Sequence, residues 1–427
     1  MKIIRKTIII LINLIYFPAV LAEALPDPLS LQQAIDMAED AQHYQIVEAQ
    51  ASMVAAQSEV ENAESSLGFK AQLEVEAAYI EPSRIALDQS ANDSRISLHM
   101  IKPIYNFGSS AEHILAAQTE QQAIQNHIPY IIGQRKIDIA RQFFEVILSD
   151  LKYAWDNESM ASAFVRFEAA RDRHALSQIS DVDLLESENT YIDILHERQL
   201  SEINQRHSRA ILAELLNRPE ELPANLLKPR LNFSKQGLPD YPILLKQIML
   251  NNPQVKLVEK QLEAASQRIS AAGKQFGPQL NAEIEISEYA RITGSNDAWR
   301  AQLNLVVPLY ENSSIKKDVS KARADWLRRQ SILLNIKIEL RKQVLALWQS
   351  INVLSQRRKQ LQTSQEFREL RLDKSRALYE MEVRTNLGSS MVAISEIQYK
   401  QAKNDFELAL ARMQLRLLAG ETEILEW

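Results

Sequence analysis

The sequence predicts a mainly α-helical protein with a small β part, built as a tandem repeat of long α-helical hairpins and two β-hairpins. The repeat is visible in Pro103-Ile104-Tyr105 and Pro308-Leu309-Tyr310, which lie 308 − 103 = 205 residues apart, and the same shift places Phe143 opposite Trp348. A stretch of about 65 residues, almost free of helix breakers, follows each tripeptide. Glycine is scarce, at 9 of 427 residues, which disfavours a turn-rich β fold. Each half is therefore expected to form the same unit.

Residues 1–22 are typical of a secretory signal peptide. Three basic residues among the first six precede an apolar run from Ile8 to Ile15, and Ala22 precedes a permissive cleavage position. The alternative is a membrane anchor, but the run is shorter than the roughly 20 apolar residues that span a bilayer. We expect export and removal of this segment.

Composition excludes several classes of protein. The formal net charge is −6 and the chain has no basic block, so no nucleic-acid partner is expected. The absence of cysteine excludes disulfides and a lipidated N-terminal cysteine. The sequence contains no HExxH motif, phosphate-binding glycine loop or nucleophile elbow. We therefore expect no enzyme activity, no cofactor and no resident metal.

Each half is predicted to run helix, strand, strand, long helix and shorter helix. The predicted helices span 31–67, 111–174 and 180–216 in the first half, and 242–273, 315–379 and 386–418 in the second. A proline-rich stretch between the halves cannot continue a helix. The predicted organisation is a signal peptide at 1–22, a first repeat at 23–217, a connector at 218–239, a second repeat at 240–420 and a C-terminal tail at 421–427.

The predicted strands alternate with a period of two, which indicates one apolar and one polar face. In the first half, Leu73 and Val75 alternate with Glu74 and Glu76, and a second strand runs from about 95 to 105 after a polar loop. The second half repeats the pattern over 282–286 and 299–307, joined by a short turn at 293–296. Each half is thus expected to contain one β-hairpin.

The second long helix carries an apolar seam. Its members recur by steps of 3 and 4, and 361 − 333 = 28 residues in eight steps gives a period of 3.5. The seam consists of Leu333, Ile336, Leu340, Val344, Leu347, Ile351, Leu354 and Leu361, with Arg358 at the one polar position. A period of 3.5 is typical of packing between nearly parallel helices, as in a left-handed coiled coil.

The four strands admit two interpretations. A small sheet packed under helices is the ordinary globular one, but such long helices cannot fold back over a small sheet, and the polar face is charged. A transmembrane barrel explains an apolar face toward lipid and a charged face toward water. A barrel must close in lipid, and four strands are fewer than the roughly eight of the smallest barrels. Three chains would supply twelve strands.

The chain resembles the TolC-type outer-membrane efflux and secretion factors. The resemblance rests on the repeat, the two Pro-x-Tyr strand ends, the Phe-Gly-Pro-Gln-Leu segment from Phe276 to Leu280, and the closing Leu-Leu-Ala-Gly from Leu417 to Gly420. It implies a homotrimer whose twelve-stranded barrel lies in outer-membrane lipid and continues into a periplasmic α-helical barrel. It also implies a passive exit duct that serves an inner-membrane transporter, either a proton-driven pump or an ATP-binding transporter, through a periplasmic adaptor protein.

The resemblance also assigns roles to individual residues. Asp183, Tyr379 and Arg384 match the residues that close the periplasmic tip in this family, and an ordinary surface ion pair is the alternative. Gly388 and Met391 stand where the family often has a second acidic ring, which places such a ring in doubt. Membrane-strand ends are expected at Pro103, Tyr105, Pro308 and Tyr310.

Two other classes of protein remain as alternatives to a duct. The first is a periplasmic coiled-coil scaffold without a pore, and the second is an exported enzyme. Within the duct interpretation, drug efflux and type I protein secretion use the same kind of channel, so the sequence leaves the cargo open.

Overall fold

The computed structural model describes residues 25–231, 233, 237–291, 296–309, 314–381, 387–421 and 423. The helices are α1 (Leu31–Asp36), α2 (Tyr44–Ser65), α3 (Ser109–Ala175), α4 (Asp181–Leu215), α5 (Tyr241–Asn251), α6 (Pro253–Lys274), α7 (Ser314–Glu380) and α8 (Leu387–Leu418). The strands are β1 (Lys70–Glu76), β2 (Arg95–Tyr105), β3 (Gln279–Tyr289) and β4 (Trp299–Val306). The predicted signal peptide lies outside the described residues.

The first helix of each half is broken, and the prediction of one continuous helix there is wrong. In the first half, α2 begins after His43, whose ring Nδ1 accepts a hydrogen bond from Gln45 N at 3.4 Å. In the second half, Asn252 Oδ1 accepts from Val255 N at 3.0 Å, and Pro253 follows at the first helical position. Proline disfavours helical backbone at the residue before it and suits the first position of a new helix. Local capping therefore overrides a continuous apolar pattern.

Both long helices form as predicted, and each spans 67 residues, on the order of 100 Å. The first continues through Pro129 and Gly133. Helix α3 contacts α2, α4, α6 and α8. The second long helix, α7, contacts α5, α6 and α8 among the described elements. The helices thus form a row in the order α2 with α4, then α3, then α6 with α8, then α7.

The helices pack around two apolar clusters. In the first, Phe144 on α3 stacks on Phe406 of α8 with ring centroids 4.3 Å apart. The second cluster includes the predicted seam of α7 except Leu361, which is buried outside the cluster, and the burial of the seam is confirmed. Six seam residues are buried and two half-buried: Leu333, Leu340, Val344, Ile351, Leu354 and Leu361, then Ile336 and Leu347. At the polar position, Arg358 Nε lies 3.0 Å from Asp405 Oδ1 on α8.

The four strands form one antiparallel sheet in the order β1-β2-β3-β4. Both predicted hairpins are confirmed, and a third pairing, between β2 and β3, joins the two halves of the chain. The polar loop after β1 is also present, whereas residues 293–295 of the predicted second turn lie outside the described residues. Within the described residues, no helix carries an apolar stretch sufficient to cross a membrane.

Candidate functional site

One face of the sheet is apolar and uncovered. The rows Leu73–Leu98–Ile286–Trp299 and Ala301–Ile284–Met100 run across the strands on this face. Trp299 is 70% exposed and Leu303 is 72% exposed. No helix among the described elements makes an extensive contact with the sheet. The globular arrangement, in which helices cover this face, is therefore absent from the described chain.

The opposite face is charged and hydrogen-bonded. The Arg95 guanidinium pairs with Glu76 at 2.7 Å and with Glu74 at 3.7 Å. On the neighbouring strands, Gln302 Nε2 donates to Glu283 Oε2 at 2.7 Å. These cross-strand pairs fix the register, because a slip of one residue would move every charge to the apolar face. The sheet therefore has one surface suited to water and one suited to lipid.

The outer edges of the sheet lack a partner strand among the described residues. They are β1 and β4, and their unpaired backbone groups can template a further strand. With four antiparallel strands in sequence order, β1 and β4 run in opposite directions. A β1 edge of one copy can therefore pair antiparallel with the β4 edge of another.

Three of the four predicted strand-end residues lie at the helical end of the sheet, and the fourth lies outside the described residues. Tyr105 is the last residue of β2, and a register shift separates it from Pro103, which pairs with Asn281. The last strand ends at Val306, two residues before Pro308, and Tyr310 is the residue not described. That these residues mark a membrane boundary stays a prediction.

Asp183 caps the start of α4 at the far end of the helices. Its Oδ2 accepts hydrogen bonds from Ser180 N at 3.1 Å and Ser180 Oγ at 2.7 Å, and its own N–H donates to Ser180 Oγ at 3.2 Å. These hydrogen bonds from the side chain and backbone of Ser180 hold the pKa of Asp183 below its ordinary value of 3.8. This role was not predicted, although Ser-x-x-Asp before an apolar run is a capping signal.

The turn between α3 and α4 closes through a left-handed residue. Ser177 has φ 57°, and Gln178 N donates to Arg173 O at 2.9 Å, which is the pattern of a Schellman motif. Across the turn, His174 Nε2 lies 2.6 Å from Asp181 Oδ1. A left-handed residue at this position favours glycine, so Ser177 stores some backbone strain.

The structure does not bring the three predicted tip residues together within the part it describes. Arg384 lies outside the described residues, and Tyr379, which is 53% exposed, forms no hydrogen bond with Asp183 in the described part of the chain. Beside Tyr379, a groove of about 530 Å³ lies between α7 and α8. Phe367, Leu370 and Lys374 are among its lining residues. The gating role of the three residues stays a prediction.

This architecture is similar to that of solved outer membrane proteins and channels. No family model matches the sequence, and no curated protein matches it. The outer membrane protein VceC of Vibrio cholerae is similar over 92% of this chain and 97% of that chain, with TM-score 0.70 and 16% identity. The CmeC outer membrane channel of Campylobacter jejuni is similar over 91% of this chain and 85% of that chain, with TM-score 0.73 and 13% identity.

A third similar structure is the open state of the MtrE outer membrane channel of Neisseria gonorrhoeae. It matches over 92% of this chain and 89% of that chain, with TM-score 0.68 and 14% identity. The similarity spans the sheet and both helical hairpins, since so little of either chain is left out. The resemblance inferred from the motifs is confirmed: the chain has the fold of the TolC-type outer-membrane channels.

Proposed function

We propose that this chain is one third of a passive exit channel in the outer membrane of a Gram-negative bacterium. Three chains form a twelve-stranded barrel in lipid, and their helices continue it into the periplasm. The observation that carries this proposal is the uncovered apolar face of the sheet. Side chains such as Leu303 would each gain about 1.5–3 kcal/mol on leaving water.

The sheet edges support closure by several copies. A single four-stranded sheet in lipid would leave β1 and β4 with unsatisfied backbone groups, each costing several kcal/mol. Pairing β4 of one copy with β1 of the next satisfies both edges and keeps every pair antiparallel. Three copies give twelve strands, which is wide enough for a water-filled lumen lined by the charged face.

The helices support the same assembly. Apolar side chains are exposed on α7, among them Leu334, Ile338 and Leu345, and on α4, among them Leu185 and Ile192. These two helices stand at opposite ends of the row. In a closed ring α7 of one copy packs on α2 and α4 of the next, so the helical wall closes where the sheet closes.

The proposed channel has no catalytic role, in keeping with the similar structures, whose printed names describe outer membrane proteins and channels. An inner-membrane transporter, proton-driven or ATP-binding, would supply the energy, and a periplasmic adaptor would dock at the helical tip. The cargo, a drug in efflux or a protein in type I secretion, stays open. A pore-free periplasmic scaffold would leave the apolar face of the sheet in water, which disfavours that alternative.

A pair of adjacent substitutions tests the proposal. Leu303→Arg places a charge on the face assigned to lipid, and Gln302→Arg places the same charge on the face assigned to water. An arginine at the lipid midplane costs about 2–4 kcal/mol. We expect Leu303→Arg to abolish the heat-modifiable trimer in the outer-membrane fraction and Gln302→Arg to preserve it. Equal behaviour of the two variants would contradict a lipid-facing sheet.

We also propose that Asp183, Tyr379 and Arg384 hold the tip closed, as the resemblance implies. Because Asp183 is also a helix cap, the two roles need separate variants. In planar bilayers, Asp183→Ala and Arg384→Ser should both raise single-channel conductance. Ser180→Ala, which removes the cap and keeps the carboxylate, should leave conductance unchanged. Unchanged conductance in both Asp183→Ala and Arg384→Ser would contradict a gating role for these residues.

A further inference from the structure

Side chains of α3 and α7 meet across one face of the helix row, although α6 and α8 stand between these two helices. Arg329 NH2 on α7 lies 3.4 Å from Glu120 Oε1 on α3. Arg268 of the intervening α6 pairs with the same carboxylate. Contacts between helices two places apart form on the concave side of a curved row. This side of the row, the inner face, is therefore concave.

A cavity of about 400 Å³ lies farther from the sheet on the same face. It is lined by side chains from three helices, among them Tyr130 and Gln134 of α3, Gln343 of α7 and Gln414 of α8. Gln134 follows Glu120 by 134 − 120 = 14 residues. Gln343 follows Arg329 by 343 − 329 = 14 residues. Fourteen residues make about four helical turns, which returns a side chain to the same face.

The connector covers the opposite, convex face. On α8, Arg412 lies two residues before Gln414, about 200° around the helix, and its guanidinium carbon is 5.3 Å from the ring centroid of Phe233. On α7, Trp348 lies five residues after Gln343, about 140° around the helix, and it donates to a carbonyl of the connector at 3.0 Å. The inner face and the connector are thus on different sides of the row.

The four named side chains that line the cavity are uncharged. Glutamine amides both donate and accept hydrogen bonds. Burial raises the pKa of the Tyr130 hydroxyl above its ordinary value of 10.0, so this group stays protonated. The ionised cluster nearer the sheet has equal numbers of each sign, because two carboxylates pair with two guanidinium groups: Glu120, Asp325, Arg268 and Arg329.

We propose that the inner face is the inner wall of the exit channel, and that Tyr130, Gln134, Gln343 and Gln414 form an uncharged zone of this wall that passes polar cargo of either charge. A ring of like charges would select cargo by sign, whereas a ring of amides offers hydrogen bonds to both. The inference rests on the proposed channel, because one chain supplies only part of the wall.

An introduced cysteine tests the assignment of the wall, since the chain has no native cysteine. Gln343→Cys places a thiol on the inner face. Arg341→Cys is the matched control, because Arg341 is exposed and lies two turns before Trp348, on the side of the connector. In planar bilayers, a negatively charged methanethiosulfonate reagent should lower the conductance of Gln343→Cys channels and leave Arg341→Cys channels unchanged. No reduction in Gln343→Cys, or an equal reduction in both, would overturn the assignment.

Charge substitutions at the same position test the uncharged zone. The reversal potential in a potassium chloride gradient gives the ratio of cation to anion permeability. We expect Gln343→Glu to raise this ratio about twofold and Gln343→Lys to lower it about twofold, because each adds one ring of fixed charge. Arg341→Gln, which removes a charge from the opposite face, should leave the ratio unchanged. Equal ratios in Gln343→Glu and Gln343→Lys would contradict the proposal.

The wild-type protein separates this inference from the proposed function. Failure of the wild-type chain to form conducting trimers would contradict the channel itself. A wild-type channel that conducts normally, combined with variants at Gln343 that respond to neither the reagent nor the charge, would contradict only the inner-wall assignment.

Discussion

The two long helices have the same length and equivalent places in the repeat, yet their surroundings differ. α3 has neighbours on both sides within the chain, whereas α7 stands at the end of the row. The equivalent residues Phe143 and Trp348 show the contrast. Phe143 is 0% exposed, while Trp348 is only partly covered and donates its Nε1–H to Pro239 O of the connector at 3.0 Å. The long helix of one repeat thus has neighbours on both sides within the described chain, and that of the other has them on one side.

The apolar residues of α7 are only partly buried within the chain. A duplicated sequence would be expected to bury both copies alike, but the apolar residues of α7 are divided between a buried seam and an exposed set. The buried seam faces α6 and α8, and the exposed set includes Leu334 and Ile338. The sheet shows the same division, with two inner strands paired on both sides and two edge strands paired on one. The sheet and the helix row therefore each end in an element with an unpaired side among the described residues, β4 in the sheet and α7 in the row.

The largest expected effect comes from the covered helix. Phe144→Ala removes a ring stacked on Phe406 inside the first cluster and should lower the free energy of unfolding by about 3–5 kcal/mol. The same substitution on α7, Phe367→Ala, removes a ring that is 61% exposed and should cost well under 1 kcal/mol. Denaturant unfolding of the two purified variants measures the difference. Equal losses would show that α7 is as well covered as α3.

A charge on the open side of α7 should break the assembly and spare the chain. Ile338→Asp replaces an exposed apolar residue and should forfeit about 1.5–3 kcal/mol per chain at the proposed contact. Asn335→Asp adds the same charge one turn away at an exposed polar position. Native mass in detergent should fall to one chain for Ile338→Asp and stay at three for Asn335→Asp. Trimers of normal stability in Ile338→Asp would remove α7 from the interface.

At the tip, the cap of α4 should make a smaller contribution. Ser180→Ala removes the two hydrogen bonds between the Ser180 hydroxyl and Asp183 and should destabilise the first turn by about 0.5–2 kcal/mol. Hydrogen exchange of the first amides of α4 measures this loss. Exchange in the middle of α3 serves as the internal control and should not change. Unaltered exchange at the tip would mean that other contacts fix this helix end.

The same cap should depend on pH. The pKa of Asp183 is lowered in the folded chain by its hydrogen bonds with Ser180, so the ionised carboxylate stabilises the turn. This stabilisation is complete above the unfolded pKa, near 3.8, and is lost as the pH falls through the lower folded value. The protection factors of the first amides of α4, which compare each exchange rate with the intrinsic rate at the same pH, should therefore fall on going from pH 5 to pH 3. Asp183→Asn should abolish this fall.

The smallest expected effect is a gain of stability. Ser177→Gly removes the cost of a left-handed backbone at φ 57° and should stabilise the turn by about 0.5–1 kcal/mol. The same substitution at Ser159, inside helix α3, should instead destabilise by about 0.5–1 kcal/mol. Thermal melting of both variants tests the pair. A loss of stability in Ser177→Gly would indicate that the serine side chain makes an essential contact.

Most of the helices and strands could be predicted from the sequence, because they depend on the periodicity of apolar residues. The 3.5-residue seam of α7 and the two-residue alternation of β1 each persist over a whole element. The break at His43 could not be read from that pattern, since a single capping side chain decides it. The break at Asn252 interrupts the pattern too, but Pro253 marks it in the sequence. The burial of Arg135 was equally hidden. Its NH2 lies 3.4 Å from Met37 O and from Leu215 O, where two other segments end against α3.

The predicted tip roles illustrate a different limit. The resemblance predicted only a gate role for Asp183, whereas the structure shows that it also caps α4 with Ser180. Which role matters for transport depends on the partner chains across the proposed three-fold axis. A helix cap depends on contacts within one chain, whereas the proposed gate would depend on contacts between the three chains of the proposed trimer.

The proposed closure by three chains can be tested at the sheet edges, where β1 of one copy would pair with β4 of the next. Because the chain lacks cysteine, Leu73→Cys on β1 and Leu303→Cys on β4 can be crosslinked with a bis-maleimide in outer membranes without background. We expect covalent species of two and three chains and none larger. Monomers alone, or a ladder extending beyond three chains, would contradict it.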